Sequence, residues 1–156
     1  MKLHFELITP ERVVFKQEVD QVTLPTQQGE ISILSNHVPL VASLVAGVAR
    51  LKVGDIEEDV AVSGGFIEIS ADGKVRVLAD TAERGHELDL SIIEQAKQRA
   101  EQVMNEVVRS DDAAYAAAAA GLERELARYR VVSKHREGRR IPTIDKANLP
   151  HDENPV

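Results

Sequence analysis

Gly29-Glu30-Ile31-Ser32-Ile33-Leu34-Ser35-Asn36-His37-Val38-Pro39-Leu40-Val41-Ala42-Ser43-Leu44 decides how this chain folds. A turn glycine opens the stretch, and Ile31 and Ile33 then alternate with Glu30 and Ser32 as in a half-buried strand. A polar Ser35-Asn36-His37 corner closes at Pro39, and a second apolar strand follows. Strand, corner and strand fix how two β layers meet, and the corner is the candidate contact site.

Working outward, short alternating segments recur with turn signals about every 8 to 12 residues, the rhythm of a sandwich or barrel. Leu3, Phe5 and Leu7 alternate with polar neighbours; Val19 to Leu24 reads as a strand ended by Pro25; Ala49, Leu51 and Val53 alternate with Arg50 and Lys52; Ile56, Val60 and Val62 oppose Glu57 and Asp59. Gly54-Asp55 and Asp72-Gly73 have the chemistry of two-residue II′ and I′ hairpin turns, whose central residues need positive φ. Gly64-Gly65 has neither a phosphate-loop lysine nor a following helix, so it reads as a bulge where two backbones approach closely.

At Gly85 β-branched alternation gives way to Ala, Glu, Gln, Lys and Arg at helical spacing, placing a boundary near residues 83 to 88. Asp89 or Ser91 caps a first helix ending near Arg109, with Ile92 or Ile93, Ala96, Ala100, Val103 and Val107 as its apolar stripe. Ser110-Asp111-Asp112 connects it to a second helix, where Tyr115, Ala118, Leu122, Leu126 and Tyr129 recur to about Val132. The stripes pair as an antiparallel hairpin, weakly, because the run Ala116 to Ala120 buries little area at roughly 25 cal/mol per Å². The expected fold class is therefore α+β in two domains: an all-β sandwich over 1–85, a helical hairpin over 86–134, and a mobile basic and polar tail over 135–156.

The 156 residues suffice for one modest core with an appendage. The chain has no cysteine, which removes disulfides, thiolate metal sites and cysteine nucleophiles and fits a reducing compartment. No signal-peptide h-region or membrane-length apolar run occurs, so membrane association is expected only through partners. A net charge of -7 argues against nucleic acid as a ligand. Arg124 to Arg140 nevertheless carries a local balance of +5, which points to an acidic partner surface. The five histidines lack metal-ligand spacing, and neither a nucleophile elbow nor a phosphate loop is present. No catalytic, cofactor-binding or metal residues are expected.

Together with Val62-Ser63-Gly64-Gly65-Phe66-Ile67-Glu68-Ile69 and Val75-Arg76-Val77-Leu78-Ala79-Asp80-Thr81-Ala82-Glu83, the opening stretch resembles the epsilon subunit of bacterial F-type ATP synthase. That family's segments have the form G-E-x-G-x-x-x-x-H-x-P-L, S-G-G-x-x-E-V and V-x-V-L-A-D-x-A. The resemblance runs from about residue 3 to 133, with Ser32 standing where the family usually has glycine and Ser35 where it usually has proline. It implies a non-catalytic central-stalk subunit, peripheral on the cytoplasmic face of the bacterial plasma membrane. The sandwich would join the gamma subunit to the proton-translocating c-ring, and the hairpin would inhibit ATP hydrolysis. By position, Glu30 would face the polar loops of the ring, and His37, with Asn36 at the same corner, would lie against gamma. Arg124, Arg128 and Arg130 would meet acidic segments of the alpha and beta catalytic subunits. At 100° per residue Arg124 and Arg128 fall opposite the Leu122, Leu126 and Tyr129 stripe, so both guanidinium groups are expected free in the closed hairpin. The alternative is a free-standing β-sandwich binding module that dimerises through its helices. Some members of the resembled family bind ATP through I/L-D-x-x-R-A; here Leu88-Asp89-Leu90-Ser91-Ile92-Ile93 replaces the arginine with Ile92, so ATP is not expected to switch this hairpin.

Overall fold

The computed structural model describes residues 1–107, 111–137 and Ile144. Eight strands come first: β1 (Leu3–Ile8), β2 (Val13–Val19), β3 (Gln21–Thr26), β4 (Gly29–Leu34), β5 (Leu40–Leu44), β6 (Gly47–Val53), β7 (Ile56–Ile69) and β8 (Lys74–Arg84). A short 3-10 turn at Gly85–Glu87 leads to helices α1 (Leu90–Glu106) and α2 (Asp112–Glu137). The expected sandwich followed by two helices is therefore the observed fold.

Hydrogen bonding runs through the strands in the order β2-β1-β8-β7-β5-β3-β4, and β6 bonds both β3 and β7. The sheet folds back on itself around a core that includes Phe5, Leu7, Leu24, Ile33, Leu51 and Ile67. Each such side chain, fully buried, contributes roughly 1.5–3 kcal/mol of apolar transfer free energy. Alternation decides which side chains enter: Leu3, Phe5 and Leu7 are buried while His4 is exposed. The parallel pairing of β1 with β8 joins the two ends of the sandwich domain, setting Phe5 beside Val75.

Gly54 has φ 58 and Asp55 has none of the positive φ that a I′ turn needs, which fits the II′ reading. Asp72-Gly73 is not a two-residue I′ turn: only Gly73 has positive φ, and β7 and β8 are joined through four residues, with Gly73 N–H donating to the Ser70 carbonyl. The cause is local, since the Asp72 carboxylate accepts from the Ser70 hydroxyl and the Lys74 N–H and thereby organises a wider loop. Gly65 does sit at a close backbone approach, because a Cβ there would lie 1.9 Å from the Leu78 carbonyl oxygen.

Pro25 does not end its strand; it pairs with Glu30 inside β3. Its carbonyl accepts from Val45 N–H, so its missing N–H faces the same side, where the pairing to β6 has stopped at Thr23 and that to β5 begins at Thr26. Proline is tolerated there because the ladder is already interrupted.

Asp89 caps α1, its carboxylate accepting from the Ser91 and Ile92 N–H groups. The helix ends at Glu106 with Val107 as C-cap; Arg109 and Ser110 lie outside the described residues. Of its apolar residues Ile93 alone is buried, and Met104 rather than Val103 continues the half-buried stripe. Asp111 caps α2 by accepting from Ala114 N–H. Helix α2 reaches Glu137, beyond the expected boundary at 134, and buries Ala127, Val131 and Val132 rather than Leu122, Leu126 and Tyr129, which are half-buried. The expected tail lies outside the described residues except for 135–137, which complete α2, and Ile144, which is buried against the core and departs from the expectation of mobility.

Candidate partner interface

Glu30 stands near the start of β4 and His37 beyond its end. About 14 Å of strand separates Glu30 from Leu34 at 3.4 Å per residue, and the corner begins only beyond Leu34. Glu30 is exposed and ion-paired to Arg50 of β6 at 2.5 Å. At the other end His37 N–H donates to the Leu34 carbonyl, and Asn36 takes φ 65, a left-handed conformation that asparagine tolerates better than most residues. The His37 Nδ1 lies 2.7 Å from the Val38 carbonyl oxygen. A carbonyl only accepts, so Nδ1 donates and Nε2 takes no part in that bond. The Asn36 amide reaches Met1 Sδ, bringing the N-terminus to the same corner.

An apolar face continues from this corner. Val38 and Val41 are each 70% exposed and Phe66 is 60% exposed, while Leu40 and Leu78 also reach solvent. Cross-strand register makes the face contiguous: Ser43 pairs with Phe66, which pairs with Leu78, and one row away Val41 pairs with Glu68, which pairs with Arg76. Ion pairs of Arg76 with Glu6 and Glu68, and of Lys16 with Glu6, border it. The Lys16 hydrogen bond, aided by Arg76, holds the Glu6 carboxyl below its ordinary range. Sequence reading passed over Phe66, although the signal was present: Ile67 and Ile69 point inward, so alternation puts Phe66 outward with Glu68.

The hairpin closes against β6 and β7 through the C-terminal half of α2. Charge holds it there. Arg128 pairs with Glu83 at 2.6 Å and Glu125 at 2.7 Å, and Lys134 bridges Asp59 at 2.8 Å and Glu57 at 3.2 Å. Burial opposes both charges, but the carboxylate partners outweigh it and raise both pKa values. The reading of Arg128 as a free cation is thus corrected: the face opposite the Leu122 stripe lies against Glu83 on β8. Arg124 and Arg130 are exposed. Between the helices, Lys97 Nζ sits 4.6 Å from the Tyr129 ring centroid, a cation–π contact.

A cleft of about 330 Å³ opens between α1, α2 and the end of β8. Among the described residues Glu83, Glu87, Asp89 and Glu125 line it against the single cation Arg128, and Ile92 occupies the position of the missing arginine. Asp89 spends a carboxylate oxygen on the helix cap. Among the described residues no group of three or more His, Asp or Glu is placed to hold a metal ion, and no helix is long and apolar enough to cross a membrane.

A β-sandwich with an exposed apolar face and a C-terminal hairpin folded against it defines a class of two-part subunit. Residues 2–85 match the family described as ATP synthase, Delta/Epsilon chain, beta-sandwich domain. The chain is 41% identical over 130 residues to an ATP synthase epsilon chain of Syntrophomonas wolfei subsp. wolfei, covering 83% of this chain and 93% of that one. It is 42% identical over 136 residues to an ATP synthase epsilon chain of Dehalococcoides mccartyi, covering 87% and 96%. Its fold is similar to a chain in the Euglena gracilis mitochondrial ATP synthase OSCP/F1/c-ring structure, with TM-score 0.67, 22% identity and coverage of 78% and 76%. The chain belongs to the ATP synthase epsilon chain family.

Proposed function

We propose that this chain is a non-catalytic rotor subunit that couples gamma to the c-ring of a proton-translocating ATP synthase and restrains ATP hydrolysis through its hairpin. The observation that carries this reading is the exposed apolar face of Val41, Phe66 and Leu78 running into the Asn36-His37 corner. A contiguous apolar face rimmed by ion pairs is a protein-docking surface, and an exposed aromatic is its natural anchor. His37, Asn36 and this face bind gamma, while Glu30 exchanges its pairing with Arg50 for polar loops of the ring. The Euglena gracilis structure to which the fold is similar contains F1 and a c-ring together. Relatives at 41 and 42% identity are ATP synthase epsilon chains, which supports the complex over a free-standing dimerising module, and in this reading the chain sits peripherally at the cytoplasmic face of the membrane.

In the restraining state α2 leaves the sandwich and sets Arg124, Arg128 and Arg130 against acidic segments of the alpha and beta subunits. Arg124 and Arg130 are exposed beforehand, whereas Arg128 must first give up Glu83, Glu125 travelling with it on α2. The test is ATPase activity of a complex of alpha, beta and gamma with and without this chain. Added chain lowers hydrolysis, and Phe66→Glu, a surface change costing the fold within about 0.5 kcal/mol, abolishes the effect by losing gamma. Equal inhibition by the variant would remove the apolar face from the interface.

ATP does not switch the hairpin, because the helix cleft presents four carboxylates to one guanidinium that is already ion-paired. Calorimetry on the isolated chain is expected to show no saturable binding at micromolar ATP; a saturable isotherm lost in Asp89→Ala would reverse this.

A further inference from the structure

Glu58 is buried on β7, and its carboxylate receives the Arg84 guanidinium in a two-point pair, Nε at 2.6 Å and Nη2 at 2.9 Å. The guanidinium also lies over the Phe15 ring, 5.3 Å from its centroid. A buried ion pair is favourable only when its remaining donors and acceptors are met. One residue far along the chain meets them. Ile144 N–H donates to Glu58 Oε2 at 3.0 Å, its carbonyl accepts from Arg84 Nη2 at 3.3 Å, and the residue is 2% exposed and part of the sandwich core cluster. Every other member of that cluster lies at or before Ala82.

We propose that Glu58, Arg84 and the adjacent core form a socket for one aliphatic residue of an extended segment, that its occupant is this chain's own Ile144, and that this docking latches the hairpin closed. The socket recognises main chain and side chain at once, by one acceptor, one donor and an apolar recess. A free tail would not need to satisfy any of the three. Seating Ile144 also tethers α2. The seven residues from Glu137 to Ile144 span at most about 25 Å, so the helix end cannot swing far from β7 while Ile144 is in place. The Lys134 bridge to Glu57 and Asp59, on either side of Glu58, holds the same edge. The residues carrying the family resemblance end near 133, so the latch belongs to a segment beyond it. The inference rests on the closed hairpin seen here and not on the proposed brake.

Hydrogen exchange on the isolated chain tests it. The full chain is compared with Ile144→Asp and with a chain ending at Glu137, the latter also in the presence of a synthetic peptide of residues 139–150. The amides of 126–137 are expected to exchange about tenfold faster or more in both variants, while β1 to β8 keep their protection. The peptide, which carries no link to Glu137, is expected to bind the truncated chain saturably without restoring slow exchange in α2, and the same peptide with Ile144→Asp not to bind. Parent-like exchange of α2 in both variants, or no binding of the peptide, would overturn the latch. Loss of strand protection in both variants would also overturn it, by making Ile144 a structural member of the core. None of these outcomes depends on ATPase inhibition, so failure of the latch and failure of the brake are distinguishable.

Discussion

Arg84 ends β8, contacts Phe15, pairs with Glu58 and reaches Ile144. Removing it strands a buried carboxylate, and an uncompensated buried charge costs about 3–5 kcal/mol. Arg84→Met is therefore expected to lower stability by about that amount in urea unfolding, whereas Arg84→Met with Glu58→Leu, which removes both charges, costs clearly less. A double variant as unstable as the single one would mean that shape rather than charge matters at this site. Arg84 was not legible as a core residue in the sequence, because a terminal arginine in an alternating strand reads as solvated. Glu58 was equally hidden, since Glu57-Glu58-Asp59 reads as a charged edge, whereas its middle member shares the inward face of β7 with Val60 and Val62 and is met there by Arg84 and Ile144.

The elements meet at the 3-10 turn of Gly85–Glu87. Glu87 accepts from Arg84 N–H at 2.8 Å and pairs with Arg12, from the loop between β1 and β2, at 2.5 Å. The Arg12 bond, outweighing partial burial, holds the Glu87 carboxyl below its ordinary value and raises the pKa of the guanidinium. A depressed carboxylate stabilises fully above the unfolded pKa of about 4.3 and loses that contribution as pH falls through the lower folded value. The clamp is thus expected to stay intact through the ordinary glutamate range and to release only as pH falls below it. NMR titration of the Arg84 amide reports it, and Arg12→Ala is expected to move its midpoint upward; an unmoved midpoint would dissociate Arg12 from the clamp. Lys134 behaves in the opposite sense. Its raised pKa gives a contribution present below the ordinary lysine value and lost only as pH rises beyond it. Gly85 permits this crowded junction, since a Cβ there would lie 2.8 Å from His135 Cβ.

At the scale of the molecule, the core cluster among the described residues lies, apart from Ile144, within the first 82 residues. Truncation after Glu87 is therefore expected to leave a folded sandwich with a cooperative unfolding transition, as an independent core allows. A noncooperative transition by circular dichroism and fluorescence of a bound dye would show that the hairpin is needed to complete the domain. Because the apolar face of Val41, Phe66 and Leu78 lies on β5, β7 and β8, the truncated sandwich should still bind gamma while losing the restraint on hydrolysis.

By itself the sequence determined a sandwich of short strands followed by two helices, because period-2 and helical patterning are local consequences of which side chains must be apolar. The Asp89 cap and the close approach at Gly65 were likewise readable, since capping and glycine conformations depend on a few neighbouring residues. Only the tertiary structure decided that Pro25 continues its strand, that Arg128 is paired and not free, and that Ile144 returns to the core. Each of these depends on what another segment brings from far along the chain, and a one-dimensional pattern assigns a charged or apolar residue to a face without saying what covers that face.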